Sequence, residues 1–309
     1  MKTISLKAKS IDYHHSISKV ILMTLLYLLT VSCSNDDNEP PVKEEEPAVA
    51  ITEISQDIKD LIYFKGDEKA ATVLITVPGG PSTAFATDLV DDFSPLLIPK
   101  EILTVTVHQA QTLDSTIVKG NDITLDLAVG FNTQSIEALD KVTAYFKNQG
   151  RTVYILGFSF GAFVTQDLIA KKGIDSADKY LIVSGRLDMN AIIWQGAAEG
   201  KGGFFENGVT PIIAADPNPS VKERNLNRIG AGFLMNRYTQ LLNTVPDLSD
   251  LTYIYGEMDQ AVGRLTDDEI QFLRSKNAQI LAGPGDHDTT FGEFIVQGFK
   301  AAFGIEIVL

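Results

Sequence analysis

The chain has 309 residues, 40 of them acidic and 26 basic, for a net charge of −14 at neutral pH. A field of that sign repels phosphate, which argues against nucleic acid or an anionic lipid surface as a partner. Cys33 is the only cysteine, so no disulfide can form within the chain.

The N-terminal elements come first. Lys2, Lys7, Lys9 and Lys19 precede residues 20–32, thirteen positions dominated by Ile, Leu, Met and Val, and Cys33 follows. A basic start followed by a short apolar run is a signal peptide. It falls short of the roughly 20 residues that a membrane-spanning helix needs. The segment resembles the leader of bacterial lipoproteins, in which a small residue, here Ser32, precedes a cysteine that is lipidated and becomes the mature N-terminus. Thr30 stands where leucine is usual, although Leu29 is adjacent. The resemblance implies a lipid anchor on Cys33 and a place in the cell envelope, at a bacterial outer membrane. The alternatives are a freely secreted protein and one retained by an uncleaved leader. Residues 34–47 are acidic and proline-rich, too polar to bury a core, and read as a tether. An acidic run directly after the cysteine is similar to the surface-export signal of lipoproteins in Bacteroidetes-type bacteria, and a plain solvated spacer would have the same composition. Without residues 1–32 the chain keeps 22 basic and 39 acidic residues, a net charge of −17.

From residue 48 onward strands are predicted near Ile51, Ile62, Val73, Leu103, Tyr154, Leu181, Tyr253 and Gln279. An amphipathic helix is predicted over 134–148, where Ile136, Leu139, Val142, Ala144 and Tyr145 fall at helical spacing. Alternating strands and helices imply a mostly parallel sheet with helices on both faces and a site at the carboxyl ends of the strands. The strand at 153–156 runs straight into Gly157-Phe158-Ser159-Phe160-Gly161. A helical run with Val164, Leu168 and Ile169 follows, stopped at Lys171-Lys172-Gly173. A chance G-x-S-x-G occurs in on the order of one in ten chains this long, so the flanks decide. Strand, turn and helix in that order make a nucleophile elbow, with glycine needed on both sides because the turn leaves no room for a β-carbon.

A serine nucleophile needs a base and an acid, in the chain order serine, acid, histidine for this kind of elbow. His14 and His15 lie in the leader, which leaves His108 and His287. The order favours His287, in the loop Gly283-Pro284-Gly285-Asp286-His287-Asp288; His108 ends an earlier strand and reads as a lining or loop-bonded residue. Asp259, at the end of the strand 251–255, is the preferred acid, able to orient the imidazole and stabilise its charged form. Glu257 and Asp188 are weaker candidates. Backbone donors for an oxyanion would come from Phe160, the residue after the nucleophile, and from Gly80 in Pro78-Gly79-Gly80-Pro81 after the strand 72–77, since Pro81 has no N–H.

With these residues in place the chain, over roughly residues 48–309, resembles the α/β-hydrolase superfamily. Pro78-Gly79-Gly80-Pro81 looks like the His-Gly-Gly-Pro segment of prolyl-aminopeptidase-like members, but Pro78 replaces the histidine and Ser82 replaces a usual glycine, which speaks against peptidase activity. Between the strand ending at Gly185 and the next, near Leu251, lie 65 residues, far more than the roughly 2 to 6 of an ordinary connection. Residues 186–250 are therefore expected to form a lid. Ile192, Ile193, Trp194, Phe204, Phe205, Ile212, Ile213, Phe233, Leu234 and Met235 supply its apolar material, and 200–203 and 217–219 suggest loops. Because Ser159, Gly80, Asp259 and His287 all lie outside it, the lid is expected to select substrates rather than to build the site. The expected activity is hydrolysis of a carboxylic ester through an acyl-serine. An amide or short peptide is the second substrate class, and a surface-anchored binding protein that keeps the fold without turnover is the rival. No cofactor or metal is called for.

Overall fold

The computed structural model describes residues 53–214 and 218–308. The leader, Cys33, the tether, the strand predicted at Ile51 and Pro217 lie outside these residues.

Seven strands form one sheet: β1 (Ile62–Lys65), β2 (Thr72–Val77), β3 (Ile102–Val107), β4 (Thr152–Phe158), β5 (Lys179–Val183), β8 (Leu251–Gly256) and β9 (Gln279–Gly283), in the order β1-β3-β2-β4-β5-β8-β9. Every neighbouring pair is parallel except β1 with β3. Among the described residues two further strands, β6 (Gly202–Glu206) and β7 (Thr210–Ala214), pair only with each other, within the insertion.

The central strands are continuous β-branched and aliphatic runs because both of their faces are covered. Alternation along each strand sorts side chains by face. Val73, Ile75, Ile155, Ile182 and Tyr253 join a core with helices α2 (Leu125–Asn148) and α3 (Phe160–Lys172), while Leu74, Leu156, Leu181, Val183 and Ile254 join the core under α1 (Asp88–Leu97) and the C-terminal helix (His287–Phe303). Helix α2 begins nine residues before its predicted start, capped by the Thr124 side chain, which accepts from the Leu127 N–H.

Strand order reverses at β2 and β4: the chain goes from β2 to β3 on one side and from β4 to β5 on the other. The carboxyl ends of β2 and β4 are therefore adjacent at a switch point, where folds of this kind open a crevice. Val77 pairs with Gly157 there. Helix α3 starts so close to β2 that a β-carbon on Gly161 would lie 2.0 Å from the Val77 carbonyl oxygen, and one on Gly157 would lie 2.4 Å from Thr165 Oγ1 and 2.6 Å from the Gly161 carbonyl oxygen.

The insertion contains α4 (Ala191–Ala198), the β6–β7 hairpin, α5 (Val221–Leu234) and a short turn of helix at Tyr238–Leu241. Gly202 and Gly203 open β6 rather than a loop. The hairpin turns at Asn207 (φ 54°) and Gly208 (φ 69°), both left-handed, which is how an Asn-Gly pair matches the twist of its strands. Ile193, Phe205 and Phe233 are buried in the core that the sheet shares with α2 and α3, Phe233 packing edge-on against Phe160, whereas Ile192, Phe204 and Met235 are exposed. The C-terminal helix is α7, following α6 (Asp267–Ser275); α6 is closed at its start by a reciprocal Thr266–Glu269 capping box.

Two glycine substitutions should separate close approach from free space. Gly161→Ala should destabilise the protein by about 3 kcal/mol or more, since the obstacle is backbone. Gly292→Ala, inside α7 with nothing within 4 Å of a new β-carbon, should stabilise it by about 0.5–1 kcal/mol. Urea unfolding of the two variants measures both.

Candidate active site

Ser159 is the residue between β4 and α3, with φ 53° and ψ −115°, a conformation that only a strongly constrained non-glycine residue holds. Its own N–H donates to the Val183 carbonyl, fixing it across the end of β5. Phe160 becomes the first helical residue, and among the described residues no group accepts its N–H. That donor and the positive end of α3 sit together beside the Ser159 hydroxyl.

His287 is the first residue of α7 rather than part of a loop. Asp286 caps the helix, accepting from the N–H groups of Asp288 and Thr289, which holds the Asp286 carboxyl below its usual range. The carbonyl of His287 accepts the Ser184 hydroxyl at 3.0 Å. The ring then bridges two groups: Nδ1 lies 2.8 Å from Asp259 Oδ2 and Nε2 lies 2.9 Å from Ser159 Oγ. A carboxylate can only accept, so the ring proton sits on Nδ1 and Nε2 presents its lone pair to the serine. The Phe158 ring packs against the imidazole with centroids 5.5 Å apart and passes the contact to Phe291 at 5.0 Å.

Asp259 is 1% exposed. Its second oxygen, Oδ1, accepts the N–H groups of Ala261 and Val262, each at 2.9 Å. Asp259's loop rests on His287's loop, with Glu257 N–H donating to Gly283 O and Met258 N–H to Gly285 O. Gly256 permits this approach, because a β-carbon there would lie 2.2 Å from Thr290 Oγ1 and 2.4 Å from Gly285 O. The other two candidate acids are placed elsewhere. Glu257 is exposed, and Asp188 is engaged by the Thr239 N–H and hydroxyl and by Arg237 at 2.9 Å.

Gly80 follows β2 in an exposed loop with φ 157°, and among the described residues its N–H has no partner. Sequence reasoning missed what holds this loop. Gln109, 1% exposed, donates to Gly79 O at 2.8 Å and accepts from Ser82 N–H at 2.8 Å, while Gln111 donates to Gln109 Oε1 and to Ser82 O. No local signal in the sequence marks Gln109 or Gln111 for this role. Gly79 itself lies against Ser159, with 3.4 Å between its would-be β-carbon and Ser159 Cβ.

The structure leaves His108 out of the Ser159–His287–Asp259 chain. It is 2% exposed, stacks on Phe85 and accepts the Ala86 N–H at its Nε2. Among the described residues no cluster of acidic, histidine or cysteine side chains could hold a metal ion.

No protein-family model and no curated protein matches the chain. Solved structures do. The chain is similar to MGS-M2, an alpha/beta hydrolase enzyme from a Medee basin deep-sea metagenome library, at 14% identity and a TM-score of 0.50, with 80% of this chain and 96% of that one covered. It is also similar to a bromoperoxidase from Bacillus anthracis (15% identity, TM-score 0.45, 78% and 93% covered) and to Est1E from Butyrivibrio proteoclasticus (16% identity, TM-score 0.46, 77% and 93% covered). The chain has the α/β-hydrolase fold.

Burial pushes the His108 imidazole down from 6.5 to about 4. The unfolded chain then binds the extra proton over that interval, so stability present above about pH 6.5 is lost as pH falls toward 4, by up to about 3 kcal/mol. Urea unfolding from pH 7 to 4 should show this slope, and His108→Gln should remove most of it.

Proposed function

We propose that the protein is a serine hydrolase that cleaves a carboxylic ester by acyl transfer through Ser159 to water. One observation carries the reading: the unbroken chain from the Ser159 hydroxyl through both nitrogens of His287 to the buried Asp259 carboxylate, at 2.9 and 2.8 Å. As the Ser159 oxygen attacks a carbonyl carbon, His287 Nε2 takes its proton, and Asp259 stabilises the resulting imidazolium. The carbonyl oxygen gains a full charge in the tetrahedral intermediate. Phe160 N–H, at the start of α3, and Gly80 N–H are the donors assigned to it. His287 returns the proton to the leaving oxygen, and water resolves the acyl-serine by the same steps. An ester leaving group asks less of the proton-donating step than an amine, and Pro78 stands where the peptidase-like pattern has histidine.

Ser159→Ala should abolish ester hydrolysis and labelling by a fluorophosphonate while moving stability by less than about 1 kcal/mol. Asp259→Asn should lower kcat/KM by about 10³ to 10⁴ through the wrong tautomer, and Asp188→Asn far less. Full turnover of p-nitrophenyl esters by Ser159→Ala would refute the assignment, and a wild-type protein that neither hydrolyses esters nor takes the label would be the binding protein.

We further propose that the mature chain begins at a lipidated Cys33 and is tethered to the cell envelope by residues 34–47. The support is the leader itself: four lysines, thirteen apolar positions and a small residue before the cysteine. Cys33→Ala should move the protein from the membrane to the soluble fraction or leave an uncleaved precursor. A chain starting near residue 48 should be soluble and fully active.

A further inference from the structure

The insertion touches the catalytic acid's loop through its hairpin. Phe205 N–H donates to Gln260 O at 2.8 Å, and Arg264 N–H donates to Gly208 O at 2.8 Å. At the hairpin tip, Gly208 lies so close to residues 257–258 that a β-carbon on it would be 2.4 Å from Glu257 O and 3.2 Å from Met258 Cα. The Phe205 ring, 1% exposed, fills the space beside Gly263, where a β-carbon would lie 2.9 Å from the ring. Arg186, at the root of the insertion, stacks its guanidinium 4.9 Å from the Phe205 ring centroid and donates to Val262 O. Val262 is one of the two residues whose N–H groups hold Asp259 Oδ1. A continuous path of packed and hydrogen-bonded groups therefore runs from the hairpin to the carboxylate that faces His287. The ribbon is held on one side by α4, where Ile213 lies against Gly196 and Ile193 against Gly203, and on the other by these contacts to the loop that carries Asp259.

We propose that the β6–β7 hairpin is a positioning element for Asp259: Gly208 and Phe205 set the loop that aims the carboxylate at His287, and the insertion takes part in the proton-transfer chemistry as well as in substrate selection. The proposal rests on the reading of Ser159, His287 and Asp259 as a catalytic chain. Its test therefore has one arm that needs turnover and one that does not.

In the first arm, kcat/KM for p-nitrophenyl acetate is measured for the wild type, Gly208→Ala, Asp259→Asn and the double variant. Displacing the carboxylate should cost Gly208→Ala about 10- to 100-fold. In the Asp259→Asn background the same substitution should cost less than about twofold, because the group it acts through is gone. Phe205→Leu, which keeps the apolar fill and loses the ring, should behave in the same direction if Gly208→Ala does not fold. Val209→Ala, at an exposed position of the same hairpin, should stay within about twofold of the wild type. Equal losses from Gly208→Ala in both backgrounds, with folding intact, would overturn the proposal. In the second arm, the downfield proton resonance of a His287 Nδ1–H bonded to Asp259 is followed by NMR. It should be present in the wild type and in Val209→Ala, and shifted or lost in Gly208→Ala and Phe205→Leu. An unchanged resonance in both folded hairpin variants would overturn the proposal whether or not the protein hydrolyses esters. Absence of any esterase activity in the wild type would instead count against the functional reading alone.

Discussion

The approach of helix α3 to the end of β2 is the constraint on which the site is built. A helix can begin directly against a neighbouring strand only if neither side brings a β-carbon to the contact, and Gly157 and Gly161 meet that condition against Thr165 and Val77. The turn between them has no slack. Ser159 is therefore held at a positive φ, its hydroxyl at the switch point between β2 and β4 and its following N–H at the start of a thirteen-residue helix. The strain is tolerated because α3 is buried along most of its length, from Phe160 to Ile169.

The other groups reach this point from loops that hold one another. Glu257 and Met258 bond to Gly283 and Gly285, which joins the segments leading to Asp259 and His287; the Ser184 hydroxyl ties the start of α7 to the end of β5; Gln109 ties the Gly79–Ser82 turn to the end of β3. Each tie joins the carboxyl ends of two strands whose spacing the sheet already fixes. The spacing between Ser159, His287 and Asp259 thus follows from the sheet order together with the contacts that the hairpin makes to the Asp259 loop.

The sequence made the sheet readable because its central strands are β-branched runs such as Thr72–Val77, which no helix pattern imitates. Ser159, Asp259 and His287 stood out because each comes within four residues after a strand and their chain order has a chemical meaning. The β6–β7 hairpin was missed although Asn207-Gly208 marks its turn; its strands are five residues long, open with two glycines on one side and carry Pro211 on the other, and they look like loop. The start of α2 was missed because Gly130, Asn132 and Thr133 break the apolar spacing that becomes regular only later. Gln109, Gln111 and Ser184 had no such cue. Their partners lie about 30 to more than 100 positions away, and nothing local distinguishes a glutamine that braces a loop from one that faces water.

The sheet's two borders have a consequence for how the protein survives in concentrated solution. A long, flat border strand offers a row of free backbone groups to any other chain, which is how sheets polymerise. Among the described residues the outer strands are β1 and β9, of four and five residues. β1 ends in the charged Lys65, paired with Asp91, and β9 runs out one residue before Pro284, which has no N–H to offer. The long strands that would template aggregation best, β2 and β4, are sealed in the middle. The arrangement resists intermolecular strand addition.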